Sequence, residues 1–534
     1  MHNFIIILVV LLSIGYLKKG LSYLIGIHKS IKLFSKTRRQ TRKEIILEQL
    51  SKNGPSLMVL LPVLREQTIL KEMLDHFLKI NYPSNKLKIF LVTTERENKE
   101  KKENAYRINN LYEDLQDGKT LKEIIEDYLG LLPGEILKEL FSSFKKNNLS
   151  LKEVKDFYDN YPTTIELAKK LISELPKHQQ DLIEIVHYPY TKGEMAHQLN
   201  FCVNHIKKER KENCYISVYN ADSKPNLDTF IALGNSALEE KEKHGVFPEA
   251  FQQISAYCQN YLEYDNSLRG LLLKASSIVQ TRWGLGKEIP MLIKQTKFWD
   301  RHPDKKLNFL EKIFEPPAYC VGHGMCIRLD VLLDVGLFPT EVLVEDMTLG
   351  YYLTLNKIAI RPIPALENVE NPDTISMLIK QKASWFWGMI GYPSCLKYVS
   401  QKVKNKDNFR TFLTTMKALI RDAVAWLFGS ITLLVFSILI FYTFQINLYI
   451  AIFASISLLT YIILPSLYLC ILLPKIFLLS SGEKIKISLS DKILVPVFSY
   501  FYLLIASIGP LKTFTKKIET IIKKEEPQKC KTER

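Results

Sequence analysis

The 534-residue sequence lacks most of the short motifs that mark a soluble enzyme or a nucleic-acid binder. There is no Gly-x-Ser-x-Gly elbow, no Walker phosphate loop and no zincin motif, so serine hydrolase, P-loop and zinc-protease chemistries have no starting point. Zinc-finger spacing and a basic aromatic RNA-binding motif are also missing, and no nucleic-acid partner is expected. The eight cysteines form no CxxC pair and show no disulfide-like spacing. Several sit inside apolar runs, as reduced thiols used as small core residues do, which places the soluble part in the cytosol. No internal repeat or low-complexity linker divides the chain. No A-x-A-like cleavage site follows the apolar start, so an uncleaved signal anchor is expected there.

What is present is basic and apolar at once. Lys+Arg number 72 against 56 Asp+Glu, a formal charge of +16. The basic residues crowd beside the most apolar segments: Lys18, Lys19, Lys29, Lys32, Lys36, Arg38 and Arg39 near the start, and Lys475, Lys484 and Lys486 near the end. That placement suits an anionic bilayer surface. The runs Phe4–Leu17 with Leu21–Ile27, Ala423–Phe444 and Leu448–Leu473 are apolar, and the last two each exceed the roughly 20 residues needed to cross a bilayer. The step Gln445–Asn447 makes these two a hairpin. Ile493–Ile508 is marginal in length; if it crosses, Lys512, Lys516, Lys517, Lys523 and Lys524 land outside, against the positive-inside rule, so an interfacial or re-entrant course is the competing reading.

Between these segments the pattern is α/β. Ser56–Leu64 and Lys86–Thr94 read as buried strands around a helix over Gln67–Ile80, a βαβ seed of a parallel sheet. Residues 96–180 are charged and helix-patterned, with breaks at Pro133-Gly134, Asn147-Asn148 and Tyr161-Pro162. They read as a helical insertion, structural or serving as a lid or protein-partner surface. The sheet resumes at Leu182–Tyr188. The next strand, Cys214–Tyr219, stops on Asn220-Ala221-Asp222. Oxygen ligands two apart at a strand end suit Mg²⁺ or Mn²⁺; an Asx turn uses the same residues.

Four stretches, in order, give the region from about 55 to 390 a resemblance to the glycosyltransferase family 2 domain of GT-A fold, of the membrane-embedded polysaccharide-synthase type. They are Leu60–Gln67, Lys192–Asn200, Asn220–Asp222 and Tyr319–Leu353; Gln381–Gly388 adds a variant of the Gln-x-x-Arg-Trp motif with Ser384 in place of Arg. The resemblance implies a donor site made by Glu66, Glu95, Lys192, Asn220 and Asp222, with Asp222 as metal ligand and Asn200 on the adjoining helix. Glu95 stands where the family has Asp-Asp-Gly. Asp346 is implied as the base that takes the proton of the attacking hydroxyl, and His323, Glu345, Gln381 and Trp385 as acceptor contacts. Bland readings stand beside these: a helix-dipole glutamate for Glu66, a helix-start lysine for Lys192, helix capping for Glu345-Asp346, a buried structural His323 and an interfacial aromatic belt for Trp385 and Trp387.

The expected architecture is an α/β GT-A-type nucleotide-sugar transferase domain with a helical insertion, plus transmembrane helices at both ends. Its segments are an anchor at 1–27, a basic juxtamembrane stretch at 28–53, the transferase domain at 54–400 with the insertion at about 96–180, a juxtamembrane stretch at 401–421, a transmembrane region at 422–510 and a basic tail at 511–534. The expected activity is inverting, metal-dependent transfer from a nucleotide-diphosphate sugar to a glycan or lipid-linked hydroxyl, in an inner membrane with the catalytic domain cytoplasmic. A polyprenyl-phosphate acceptor and a catalytically silent subunit of a polysaccharide-export complex are the alternatives.

Overall fold

The computed structural model describes residues 2–39, 43–128, 130–208, 213–391, 407–480 and 485–523. Cys395, Cys530, Lys484, the domain boundary expected at residue 400 and the tail from Lys524 onward lie outside them. The chain opens with one continuous helix, α1 (His2–Arg39). Seven strands then form a single sheet in the order β3-β2-β1-β4-β6-β5-β7. They are β1 (Ser56–Pro62), β2 (Leu87–Thr94), β3 (Ile183–Tyr188), β4 (Cys214–Val218), β5 (Ala250–Ala256), β6 (Met325–Arg328) and β7 (Ile360–Asn368). All pairings are parallel except those of β6, which runs antiparallel to both β4 and β5.

Alternation along β1 builds two cores. Leu57, Val59 and Leu61 point into one, with Leu70, Met73 and Phe77 of helix α2 (Gln67–Leu78). Met58 and Leu60 point into the other, with Leu199 and Val203 of helix α3 (Met195–Lys207). Helices cover both faces, which explains why the strands read as unbroken apolar runs. The second core also takes in Leu271 and Ile278 of helix α4 (Leu268–Trp283) together with Ile27, Ile31 and Phe34, so the C-terminal half of α1 is part of the sheet-bearing body.

The insertion is helical, from Glu95–Asn104 through Thr164–Ser173, with ends at the expected breaks: a helix begins at Gly134, Asn148 caps its C-terminus in the left-handed conformation, and Tyr161 ends the next. It has its own small core around Leu111, Leu137, Leu140 and Val154.

Among the described residues, three helices are long and apolar enough to cross a membrane: His2–Ser35, Leu448–Ser480 and Leu489–Lys523. The pair Asn408–Leu427 and Gly429–Thr443, bent by 64°, makes a fourth if it counts as one span. Two expectations change here. The run from Ala423 is not one straight helix, because a π-turn at Leu419–Val424 and a break at Phe428 interrupt it. The marginal run Ile493–Ile508 is part of a 35-residue helical stretch, long enough to span. The six described cysteines are buried free thiols.

Candidate active site

Because β1, β2, β4, β5 and β7 run the same way and β6 the other, the C-terminal ends of the five and the entry to β6 share one edge of the sheet. This is the edge where open α/β sheets bind ligands. Glu66, Glu95, Asn220–Asp222, Ser255, His323 and Glu367 all stand there by their position in the strands.

At the β4 end the chain turns. Ser223 N–H donates to the Asn220 carbonyl at 3.1 Å, and Asn220 N–H to Ser223 Oγ at 3.2 Å. The turn reading is therefore realised, yet backbone and Ser223 close it, and the Asn220 amide oxygen is not spent on it. One carboxylate and one amide oxygen suit a hard cation whose remaining positions are filled by phosphate oxygens and water. Among the described residues, one group of three clustered ligands is Glu240, His244 and Asp300. It lies at the opposite edge, where Arg361 at the start of β7 pairs with Glu240 at 2.8 Å and Asp300 at 2.7 Å, so it forms an ion-pair network around a guanidinium.

Asp346 lies in the first turn of helix α5 (Glu345–Leu355), whose N-cap is Val344, so neither carboxylate is the cap. Gly322 makes room for it: a Cβ there would sit 2.9 Å from Asp346 Oδ2. His323 follows, and its Nδ1 meets Glu367 Oε2 at 2.6 Å and Ser255 Oγ at 3.3 Å. Burial disfavours charge on His323, but the carboxylates of Glu367, Asp346 and Glu288 outweigh it and push its pKa up. Glu367 is wholly buried, and its Oε1 has no hydrogen-bond partner among the described residues. Sequence reasoning missed both Glu367 and Ser255; a lone glutamate inside the apolar strand Ile360–Asn368 was the available signal.

The other candidates divide. Glu95 is the first residue of a helix capped by Thr94, and it bonds Asn98 at 2.8 Å and His187 at 3.1 Å, which hold its pKa down. Lys192 is exposed in the loop before α3, where Tyr188 donates to its carbonyl at 3.2 Å. Asn200 is occupied structurally, bridging both backbone groups of Phe338 at 2.8 and 2.9 Å. Glu66 is the N-cap of α2 without a side-chain cap bond. Glu345 is buried.

Gln381 and Trp385 lie on helix α6 (Ile375–Ile390). Trp385 is 37% exposed and its ring centroid lies 5.9 Å from that of Tyr257, just past β5. Gln381 Oε1 is buried without a partner among the described residues. Trp387 is buried and faces Lys517.

Residues 295–478 match the model of the glycosyl transferase family group 2, a stretch that contains Gly322–Gly324, Glu345-Asp346 and Gln381–Trp385. No curated protein matches the chain. Among solved structures, a mannosyltransferase from Pyrobaculum calidifontis in complex with GDP-Man and Mn²⁺ is similar at 13% identity and a TM-score of 0.33, over 83% of this chain and 99% of that one. The matched stretch is similar to the glycosyl transferase family group 2, and it supplies β6, β7 and the residues His323, Asp346 and Glu367 at the ligand-binding edge of the mixed sheet.

Proposed function

We propose that the protein is a membrane-embedded, inverting glycosyltransferase that passes a sugar from a nucleotide-diphosphate sugar to a hydroxyl of a glycan or lipid-linked acceptor. The observation that carries this reading is the meeting at one sheet edge of Asn220–Asp222, after β4, with Asp346, seated against Gly322 at the entry to β6. A leaving diphosphate and an incoming hydroxyl need these two kinds of group on either side of one sugar carbon.

In this reading Asp346 takes the hydroxyl proton as the acceptor oxygen attacks the anomeric carbon and the bond to the diphosphate breaks. A single displacement inverts the configuration and needs no covalent nucleophile. Asp222, with the Asn220 amide oxygen, would hold Mg²⁺ or Mn²⁺. When bound, the cation neutralises charge on the departing diphosphate. Glu66, Glu95 and Lys192 border the donor; His323, Glu345, Gln381 and Trp385 border the acceptor, with Trp385 offering a flat face to a pyranose ring. The apolar helices fit an inner-membrane protein with a cytoplasmic catalytic domain, where nucleotide sugars are found.

The test is nucleotide release by the detergent-purified protein from a panel of UDP- and GDP-sugars, with membrane extract as acceptor and with Mn²⁺, Mg²⁺ or EDTA. We expect release from one donor that EDTA abolishes, and that Asp346→Asn and Asp222→Asn each lower by about 10²–10⁴-fold. Release that survives Asp346→Asn would overturn its role as base.

A further inference from the structure

Lys382, next to Gln381 in α6, is only 6% exposed, yet it makes no hydrogen bond or ion pair among the described residues. Its ammonium lies 4.2 Å from the Trp385 ring centroid and 5.9 Å from that of Trp426. Cation–π contacts of this kind are worth about 2 kcal/mol when desolvated. An unpaired buried ammonium costs several kcal/mol, so the two rings leave the charge undercompensated. The acid within electrostatic reach, Glu288, is occupied: it accepts from Tyr319 OH at 2.7 Å and Trp283 Nε1 at 3.2 Å. Burial raises its pKa against those bonds, which makes it a poor counter-ion. The same burial pushes Lys382 down to about 7. Beside it, Gln381 Oε1 is a second buried polar atom without a hydrogen-bond partner among the described residues.

Position decides which ligand this cation awaits. On an α-helix, residues two apart project about 200° from each other, so Lys382 faces away from Ser384 and cannot take over at the donor diphosphate for the arginine that Ser384 replaces. It faces Trp385 and Trp426, the latter on the bent helix pair, while Gly509 of the last span packs on the backbone of Ile379 and Ala383. The site therefore lies where catalytic body and membrane helices meet. An apolar groove of about 540 Å³ runs along α1 past Ile14, Leu21, Ile25, Lys18 and Lys29 to Pro290, two residues along the chain from Glu288. An apolar groove edged by lysines fits a lipid chain bearing an anion.

We propose that Lys382 binds the phosphate of a lipid-linked acceptor, holding it beside Trp385 so that the accepting hydroxyl reaches Asp346. This rests on the transferase reading above and narrows its acceptor to a lipid phosphate or diphosphate.

The test titrates detergent-purified full-length protein with farnesyl phosphate, followed by tryptophan fluorescence. Farnesol supplies the chain without the anion, and a glucuronic-acid-terminated oligosaccharide supplies an anion without the chain. Wild type, Lys382→Met and Lys382→Arg are compared. Farnesyl phosphate should bind wild type saturably, Lys382→Met at least about 10-fold more weakly and Lys382→Arg within about 3-fold, since the charge is what pairs. Lys382→Met removes a buried charge at similar volume and should unfold no earlier than wild type. Equal binding of farnesyl phosphate to wild type and Lys382→Met would overturn the proposal, as would a saturable farnesol signal with the same affinity. Lys382-dependent binding of the glucuronide alone would overturn the lipid source. Metal-dependent nucleotide binding, measured on the same samples, separates the two failures: its absence from wild type sinks the transferase reading, whereas its presence alongside Lys382-independent phosphate binding sinks only the lipid proposal.

Discussion

At the residue scale the site is built by small allowances around a few charges. Gly322 has an ordinary backbone conformation, so alanine there meets no backbone strain, but its methyl would press on Asp346 Oδ2 at 2.9 Å. We therefore expect Gly322→Ala to lower turnover by about 10²-fold, the cost of misplacing a reacting group by about an ångström, with little change in donor affinity or unfolding temperature. An equal loss of folding would show that the glycine serves packing instead. The His323–Glu367 pair predicts a pH dependence. His323's pKa is raised in the folded protein, so its stabilising share is complete below the ordinary histidine value of about 6.5 and fades as pH climbs through the raised value. The loss of unfolding temperature caused by Glu367→Gln should accordingly be largest near pH 6 and shrink toward pH 9; a loss that grows with pH would contradict the pairing. These residues mark the limit of what the sequence discloses. Asp222 and Asp346 could be named from sequence as candidates because their neighbours form motifs, whereas Ser255 and Glu367 stand out only through a partner 68 and 44 positions away, and Lys382 through having no hydrogen-bond partner among the described residues.

At the element scale, apolar runs and turn residues were enough to place β1, β2, β3 and β4 and to find the breaks of the insertion, because parallel strands buried on both faces leave long apolar words. How elements dock is decided by single polar groups that carry no such pattern. Glu97, buried, accepts from Gln67 Nε2 at 2.7 Å, Thr164 N at 2.8 Å, Thr164 Oγ1 at 3.0 Å and Arg65 N at 3.3 Å, and so ties both ends of the insertion to the loop after β1. Each buried donor left unpaired costs about 1–3 kcal/mol. Glu97→Ala should thus open the insertion to limited proteolysis within residues 96–163 while the rest of the body resists; cleavage at the wild-type rate would deny Glu97 this role. Arg282 does similar work at the long apolar helices. Pro465 has no N–H for the Tyr461 carbonyl four residues before it, and Arg282, at the end of the helix Leu268–Trp283, donates to that carbonyl at 3.1 Å and to Ile462 at 3.2 Å. A carbonyl left without its helical partner in one helix is satisfied by a side chain of another.

At the scale of the whole molecule, such contacts pack the sheet-bearing body against the long apolar helices. Segmenting the sequence into anchor, linker and domain follows composition, and composition changes near residue 28, but packing does not: Ile27, Ile31 and Phe34 share a core with Met58, Phe90 and Val218. Lys274 and Asp491, both nearly buried, pair at 3.1 Å between the helix Leu268–Trp283 and the last span. Removing one member of a buried pair costs about 3–5 kcal/mol because the other is left charged and alone. Asp491→Ala should therefore lower the unfolding temperature of the whole protein in a single transition, monitored in detergent by intrinsic fluorescence, and Lys274→Met combined with Asp491→Leu should recover most of the loss. A two-step melt, with the catalytic body unaffected, would mean that the membrane helices merely tether it. The same argument bears on truncation. Deleting residues 1–39 takes three apolar side chains out of a closed core, and the remaining chain is expected to aggregate in detergent even with its sheet complete; a monodisperse, detergent-purified product that binds nucleotide would show that α1 is an anchor after all.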